Sequence, residues 1–150
     1  RLAEVCENVE DVVMMTNSVA NNGNPFGAMD YRKNKGKILK TGVGILEYDG
    51  GVSYHGKCFV IDDRLSSIGS FNWDMRSAYL DTELMLVIDS GQLNAGMRTE
   101  MAEYEKVALT VVDEDTSLAP EGMTAQQTSL KDRLLTGIIS IFAGWARFLM

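Results

Sequence analysis

Side chains that can bind and transfer phosphate recur at short spacings between residues 55 and 72. His55 and Lys57 are separated by one residue, and so are Ser70 and Asn72. In an extended strand, residues i and i+2 project from the same face. If the strands that carry these two pairs are adjacent, an imidazole, an ammonium, a hydroxyl and a carboxamide converge. That set of donors with one nucleophile suits a tetrahedral oxyanion such as phosphate, whose charge such groups stabilise.

His55 is the only histidine in the chain of 150 residues. Taken alone, one histidine on a strand is more often a structural residue than a catalytic one. Gly69 can likewise mark a bulge or a close approach of two backbones. The combination of these residue types at fixed spacings nevertheless favours a phosphate-binding site over unrelated structural residues.

The segments that must position these pairs alternate between strand and helix patterns. A polar loop at 16–27 and the pair Gly50–Gly51 contain turn-forming residues that separate the apolar segments. Gly42 follows a helical segment at a capping position. We predict strands at 12–15, 43–49, 52–62, 65–72 and 83–89, and helices at 28–41 and 94–108. Helices mixed with buried strands indicate a layered α/β domain.

The composition is that of a globular protein, with 45% hydrophobic and 23% charged residues. The net charge is −7, and the acidic surplus lies after residue 60. A non-specific nucleic-acid binder needs a dominant cationic field, which this charge argues against. Cys6 and Cys58 lie far apart and form no metal or redox motif, so we expect two reduced thiols.

Composition divides the chain into three parts. Residues 1–110 carry the predicted strands and helices. Residues 111–128 are polar and acidic and are predicted to be a linker or an extended surface segment. Residues 129–150 form an amphipathic pattern, whose apolar stretch at 134–146 is too short to span a bilayer. This last segment is expected either to pack onto the protein or to lie in the interface of a membrane.

The spacing HxK(x)4D(x)6GSxN, which runs from His55 to Asn72, is that of the HKD motif. It resembles the phospholipase D superfamily at every motif position. The flanking stretches "VMMTNSVA", "MDYRKNKGKILKTGVGILEY" and "NWDMRSAYLDTELMLVID" are similar to the C-terminal half of bacterial cardiolipin synthases. The resemblance covers roughly residues 10–110. It implies a phospholipase D-like α-β-α layered domain with a mixed sheet, containing one HKD half, followed by the C-terminal amphipathic helix.

The resemblance also implies roles for the motif residues. The motif histidine either attacks phosphorus or protonates the leaving group, and His55 inherits one of these roles. Lys57 and Asn72 are expected to bind phosphate oxygens, and Ser70 to line the pocket. Asp62 matches the motif aspartate, which is usually more structural, so it is a weaker catalytic candidate.

Two residues outside the motif are further candidates. Glu83 follows the motif at the place of an acidic residue that orients the family histidine. A carboxylate bonded to one ring nitrogen would fix the tautomer of His55, as in a catalytic triad. Arg76 is a candidate for contact with a headgroup phosphate. The resemblance implies no metal and no cofactor.

The family's active site combines two HKD motifs, whereas this sequence contains one. The second motif is expected from an upstream half or from a second subunit. The chain opens within a helical pattern, which favours an upstream half. In bacterial enzymes with two motifs the first more often supplies the nucleophile, so we expect His55 to be the acid/base partner.

Three functions follow from these observations. The first is a phosphatidyltransferase of cardiolipin synthase type, working through a phosphohistidine intermediate on phosphatidylglycerol or a similar phospholipid. The second is a phospholipase D-type phosphodiesterase or nuclease that acts as a homodimer. The third is a half-domain that is inactive alone and serves as an interaction module.

A lipid substrate implies contact with an anionic membrane. The predicted helix at 28–41 carries basic residues that form either a solvated face or a contact with anionic lipids. With the amphipathic segment, they predict a peripheral protein at the cytoplasmic face of the membrane. The basic residues are Arg32, Lys33, Lys35, Lys37 and Lys40.

Overall fold

The computed structural model describes residues 2–128 and confirms a layered α/β fold with a mixed sheet. The described residues form two compact units, one of residues 2–54 and 105–128 and the other of residues 55–104. The elements in chain order are α1 (Leu2–Asn8), β1 (Val13–Asn17), α2 (Pro25–Leu39), β2 (Gly44–Tyr48), β3 (Cys58–Ile61), β4 (Leu65–Gly69), α3 (Met75–Tyr79), β5 (Met85–Asp89), α4 (Gly91–Glu105), β6 (Ala108–Val111) and β7 (Ser117–Leu118).

The first unit is built on a mixed four-stranded sheet in the order β1-β2-β6-β7. β1 and β2 are parallel, whereas β2 pairs with β6 and β6 with β7 in the antiparallel sense. Val43, Ile45 and Val111 form its buried core. Tyr31 and Ile38 are among the partly buried side chains that pack on this core, so α2 covers the sheet.

α2 begins at Pro25, three residues before the predicted start, because Asn24 caps it. The side chain of Asn24 accepts hydrogen bonds from the backbone N–H groups of Phe26 (3.1 Å) and Gly27 (3.3 Å). Proline is well suited to the first helical position because it has no N–H to satisfy. Gly42 lies just beyond the helix with φ of 91°, a left-handed conformation that glycine adopts without strain.

A charged network is buried between α2 and β2. Lys35 is 7% exposed, and its Nζ lies 2.9 Å from Glu47 Oε1. Glu47 also accepts hydrogen bonds from the hydroxyl of Tyr31 (2.8 Å) and from Ser117 Oγ (2.7 Å). Burial, and then the charge of Glu47, raise the pKa of Tyr31 far above its usual range, so this phenol stays a donor. Lys35 is therefore not part of an exposed basic face, unlike Arg32, Lys33, Lys37 and Lys40.

The second unit carries an antiparallel three-stranded sheet in the order β3-β4-β5. β3 and β4 are adjacent, as the convergence of the two residue pairs requires, with Cys58 opposite Ile68. β3 begins at Cys58, so the strand predicted from residue 52 is wrong over residues 52–57. Several of the preceding residues are instead held by β1 and the loop after it; Asn17, the last residue of β1, bonds to Tyr54.

The chain after α4 returns to the first sheet. Residues 108–111 form β6, although the predicted helix extended to residue 108. Asp113 accepts hydrogen bonds from the N–H groups of Asp115 (2.9 Å) and Thr116 (2.7 Å), and this turn leads into β7. Residues 111–128 thus include β7, and the three-part division of the chain stays a prediction. The predicted helix at 129–150 lies outside the described residues.

None of the helices within residues 2–128 is both long and apolar enough to cross a bilayer.

Candidate functional site

His55 and Lys57 lie in the extended segment that leads into β3. The Nζ of Lys57 is 3.1 Å from Nε2 of His55, a distance at which an ammonium donates to the imidazole lone pair. The carbonyl of Lys57 accepts a hydrogen bond from the N–H of Gly69 (3.1 Å), so Lys57 is joined to the end of β4. The imidazole is exposed, and the lysine side chain is half-buried.

Ser70 follows β4 directly and is fastened to the residues before β5. Its N–H donates to the carbonyl of Leu84 (3.0 Å), and its Oγ accepts from the N–H of Leu84 (3.0 Å). The backbones are close here: a Cβ on Gly69 would overlap the Leu84 carbonyl oxygen and lie 2.9 Å from the Cα of Met85. Of the two sequence interpretations of Gly69, the close approach of backbones therefore describes it.

Glu83 accepts a hydrogen bond from Ser70 Oγ. This bond, a second one from Ser77 and attraction to Lys57 hold the pKa of Glu83 below its usual range. Among the described contacts, the imidazole of His55 is bonded to Lys57 and not to Glu83. The expectation that Glu83 orients His55 directly stays a prediction, and the observed partner of its carboxylate is Ser70.

Asn72 lies beyond the end of β4, in the turn before α3. Its N–H donates to Ser77 Oγ (3.2 Å). Ser77 is 6% exposed, and its own N–H donates to Asp74, the N-cap of α3 (2.7 Å). Ser77 therefore holds the backbone of Asn72 and contributes to the lowered pKa of Glu83. Sequence reasoning missed Ser77, although the capping spacing from Asp74 to Ser77 indicates it.

Asp62 lies apart from these residues, in the turn that joins β3 to β4. It adopts φ of 49°, and its carbonyl accepts hydrogen bonds from the guanidinium of Arg98, one of them at 2.9 Å. His55 precedes β3, whereas Asp62 follows it, so the two residues lie at opposite ends of the strand. This position agrees with the structural role expected for the motif aspartate.

Arg76 in α3 already has a carboxylate partner. Its Nε lies 2.9 Å from an oxygen of Asp81, and both side chains are substantially exposed. An exposed pair of this kind is worth little and can open to a stronger anion. Trp73 packs against Phe59 with ring centroids 6.2 Å apart.

The site thus brings His55, Lys57, Ser70 and Glu83 to one end of the three-stranded sheet, with Asn72 anchored beside Ser77. Within residues 2–128, no group of three or more histidine, cysteine or acidic residues is arranged to hold a metal ion. The metal-free character of the site stays a prediction. The arrangement offers a proton-transferring group beside a cation, which suits chemistry at a phosphate.

Known proteins are similar to part of this chain. It is 36% identical over 69 residues to cardiolipin synthase A of Erwinia tasmaniensis, which covers 46% of this chain and 14% of that protein. It is 37% identical over 68 residues to cardiolipin synthase A of Yersinia pseudotuberculosis, covering 45% of this chain and 14% of that protein. The chain therefore spans about one seventh of the length of these curated relatives.

Two solved structures share the fold. The phosphatidylserine synthase of Haemophilus influenzae superposes with a TM-score of 0.68 and 18% identity, over 99% of this chain and 38% of that one. Nuc of Salmonella typhimurium, a phospholipase D family member, superposes with a TM-score of 0.50 and 11% identity, over 73% of this chain and 88% of that one.

The profile of the family described as "Cardiolipin synthase, PLD-like domain" matches residues 1–104. This match covers more than two thirds of the chain and includes every residue of the HKD motif. The chain therefore belongs to the family of phospholipase D-like domains of cardiolipin synthases.

Proposed function

We propose that this chain supplies one HKD half of a phosphatidyltransferase of cardiolipin synthase type. The observation that carries the proposal is the contact of 3.1 Å between Lys57 Nζ and His55 Nε2, beside Ser70 at the end of the neighbouring strand. A cation in contact with an imidazole suits phosphoryl transfer, because the cation can bind phosphate oxygens while the imidazole transfers protons. The likeness to cardiolipin synthases supports a phospholipid as the substrate class, and we propose phosphatidylglycerol or a similar lipid.

Lys57 would change partners when substrate binds. In the structure its ammonium contacts the His55 Nε2 lone pair. A phosphate oxygen is a stronger acceptor than a neutral imidazole, because hydrogen bonds between charged groups are roughly twice as strong. Lys57 would therefore turn to the phosphate, together with the carboxamide of Asn72. This leaves Nε2 free to take up from solvent the proton that it then gives to the leaving oxygen. The ionised Glu83 keeps the Ser70 hydroxyl in place during this step.

The reaction needs a second HKD motif, from an upstream half or a second subunit. We assign the nucleophile to the histidine of that motif and the acid/base role to His55. In the first step the nucleophile forms a bond to phosphorus, the bond from phosphorus to the glycerol oxygen breaks, and His55 protonates that oxygen. In the second step His55 takes the proton from the acceptor hydroxyl. The oxygen of that hydroxyl forms a bond to phosphorus, and the bond between phosphorus and the nucleophilic histidine breaks.

The substrate places the protein at a membrane surface, and we propose a peripheral location at its cytoplasmic face. Four basic residues of α2 and its C-cap are exposed, and each cation near an anionic surface contributes about 1 kcal/mol. They are Arg32, Lys33, Lys37 and Lys40. The amphipathic sequence at 129–150 would add an interfacial anchor.

The product distinguishes this proposal from the alternatives. The natural full-length protein is incubated with vesicles of phosphatidylglycerol, and the lipid products and the released glycerol are quantified. We expect cardiolipin and glycerol in equal amounts. Release of phosphatidic acid would instead indicate the hydrolytic enzyme, and a molar mass of twice the chain would indicate a homodimer. Binding to vesicles without turnover would indicate an interaction module.

A further inference from the structure

The carboxamide of Asn17 makes two short hydrogen bonds to the backbone of Tyr54. Asn17 Nδ2 donates to the Tyr54 carbonyl (2.7 Å), and the Tyr54 N–H donates to Asn17 Oδ1 (2.7 Å). Asn17 is the last residue of β1, where it lies opposite Tyr48 of β2. The side chain thus substitutes for a strand backbone, and it holds both polar groups of the residue directly before His55.

Neighbouring contacts reinforce this clamp. Asn21 Nδ2 donates to Asn17 Oδ1 (3.2 Å) and to the Val52 carbonyl (3.2 Å). The N–H of Gly23 donates to Ser53 Oγ (3.3 Å). The end of β1 and the loop after it therefore bind three consecutive residues, 52–54, which lie outside any strand.

The loop is itself anchored in buried structure. Ser18 is buried, its Oγ donates to the buried carboxylate of Asp49, and it accepts from the N–H of Asn21 (3.0 Å). The Asp49 carboxylate also accepts from the N–H of Gln126 (2.7 Å). A buried carboxylate with several donors is a rigid support, because any rearrangement would leave its charge unsatisfied.

We propose that Asn17 is a positioning residue for His55. The Tyr54 carbonyl belongs to the peptide group that joins Tyr54 to His55, and this group is planar. Holding the carbonyl oxygen therefore fixes the plane from which the His55 backbone starts. The consequence for turnover rests on the proposed function, since it assumes that His55 transfers protons. The effect of Asn17 on the position of the His55 imidazole does not depend on the proposed function.

The first test observes the His55 imidazole by NMR and does not depend on enzyme activity. Because His55 is the only histidine, its imidazole gives a single set of ring signals in NMR spectra of the 150-residue chain. Asn17→Ala is expected to shift and broaden these signals and to speed amide exchange at Tyr54. The matched control is Asn34→Ala, which also removes a bond of a side-chain amide to a backbone carbonyl (2.8 Å, to Asp30). The control should leave the His55 signals in place.

If Asn17→Ala fails to fold, the same NMR measurement is made on Asn17→Asp. Its near-identical shape keeps the acceptor for the Tyr54 N–H but replaces the donor to the Tyr54 carbonyl with an oxygen. The His55 signals should again move. His55 signals that match wild type in the folded Asn17 variant would overturn the proposal, whatever the protein's activity.

The second test uses turnover of the full-length protein. A displaced catalytic group lowers kcat, and small misplacements cost up to about 100-fold. We expect Asn17→Asp to lower kcat by about 10- to 100-fold with KM within about twofold, and Asn34→Ala to leave both unchanged. Equal kcat in the two variants would overturn the positioning role. A wild-type protein without turnover would contradict the proposed function and leave the NMR test intact.

Discussion

The hydroxyl of Ser70 donates to the carboxylate of Glu83, and it accepts from the N–H of Leu84 (3.0 Å). Residues at the two ends of the β4–β5 connection are thereby joined at the site. Because the Ser70 hydroxyl donates to the carboxylate, the bond lowers the pKa of Glu83 and favours its ionised form. A negative charge is thereby kept near Lys57. In this site the carboxylate fixes a hydroxyl and attracts the ammonium.

The Ser70 bond makes the titration of Glu83 predictable. Ser70→Ala should raise the pKa of Glu83, because this bond is the largest cause of its lowered value. Since the folded pKa is lowered, Glu83 stabilises the fold above its ordinary pKa of about 4.3, and the effect is lost as pH falls through the lowered value. NMR of the carboxyl carbon measures the shift. Ser90→Ala is the control, and an unchanged Glu83 titration in Ser70→Ala would contradict the assignment.

Gly69 should not tolerate a side chain. Gly69→Ala would force a Cβ against the Leu84 carbonyl oxygen and the Met85 backbone, which cannot move without breaking the β4–β5 ladder. We expect the free energy of unfolding to fall by about 1–3 kcal/mol in urea titrations. Gly96→Ala in α4 is the matched control, since its Cβ would meet nothing within 4 Å and should add about 0.5–1 kcal/mol. Equal effects of the two substitutions would contradict the close approach.

We predict that Lys35 stabilises the fold and does not contact lipid. Lys35→Ala would leave the buried Glu47 carboxylate without its cation, a loss that typically costs about 3–5 kcal/mol. Urea unfolding measures this change against exposed Lys37→Ala, for which we expect about 0.5 kcal/mol or less. The double variant Lys35→Met/Glu47→Leu should recover most of the loss, because no charge is then left unpaired. A small effect of Lys35→Ala would show that Glu47 finds other partners.

The amphipathic sequence after residue 128 is predicted to bind anionic lipid. Deleting residues 129–150 should weaken sedimentation with phosphatidylglycerol vesicles, because it removes apolar area together with Lys131, Arg133 and Arg147. Phosphatidylcholine vesicles provide the control for charge. Unchanged binding to anionic vesicles after the deletion would favour the alternative, in which the segment packs onto the protein.

The sequence predicts the β3–β4 pairing well, because two short apolar segments are separated by a turn at Asp62. It does not predict that residues 52–57 leave the sheet. Part of that outcome follows from Asn17, which is 37 positions before Tyr54 in the sequence and bonds to its backbone in the fold. Local patterns contain no information about such a contact.

Other differences have the same origin. The basic pattern of α2 does not distinguish Lys35 from its neighbours, because burial of that lysine depends on Glu47 in the following strand and Ser117 in β7. Ser77 carries no catalytic signature of its own, and its role follows from contacts with Asn72 and Glu83. The helix cap at Asn24 and the left-handed Gly42, in contrast, depend on adjacent residues, so local sequence patterns can indicate them.

Replacing His55 tests the central claim most directly. The natural full-length protein and its His55→Ala variant are compared in phosphatidylglycerol turnover, with the exposed ion pair variant Arg64→Ala as the control for folding. Removing an acid/base group typically costs about 100- to 10,000-fold in rate. The account predicts a loss of at least this size for His55→Ala with full activity in the control. Cardiolipin formation by His55→Ala within tenfold of wild type would contradict it.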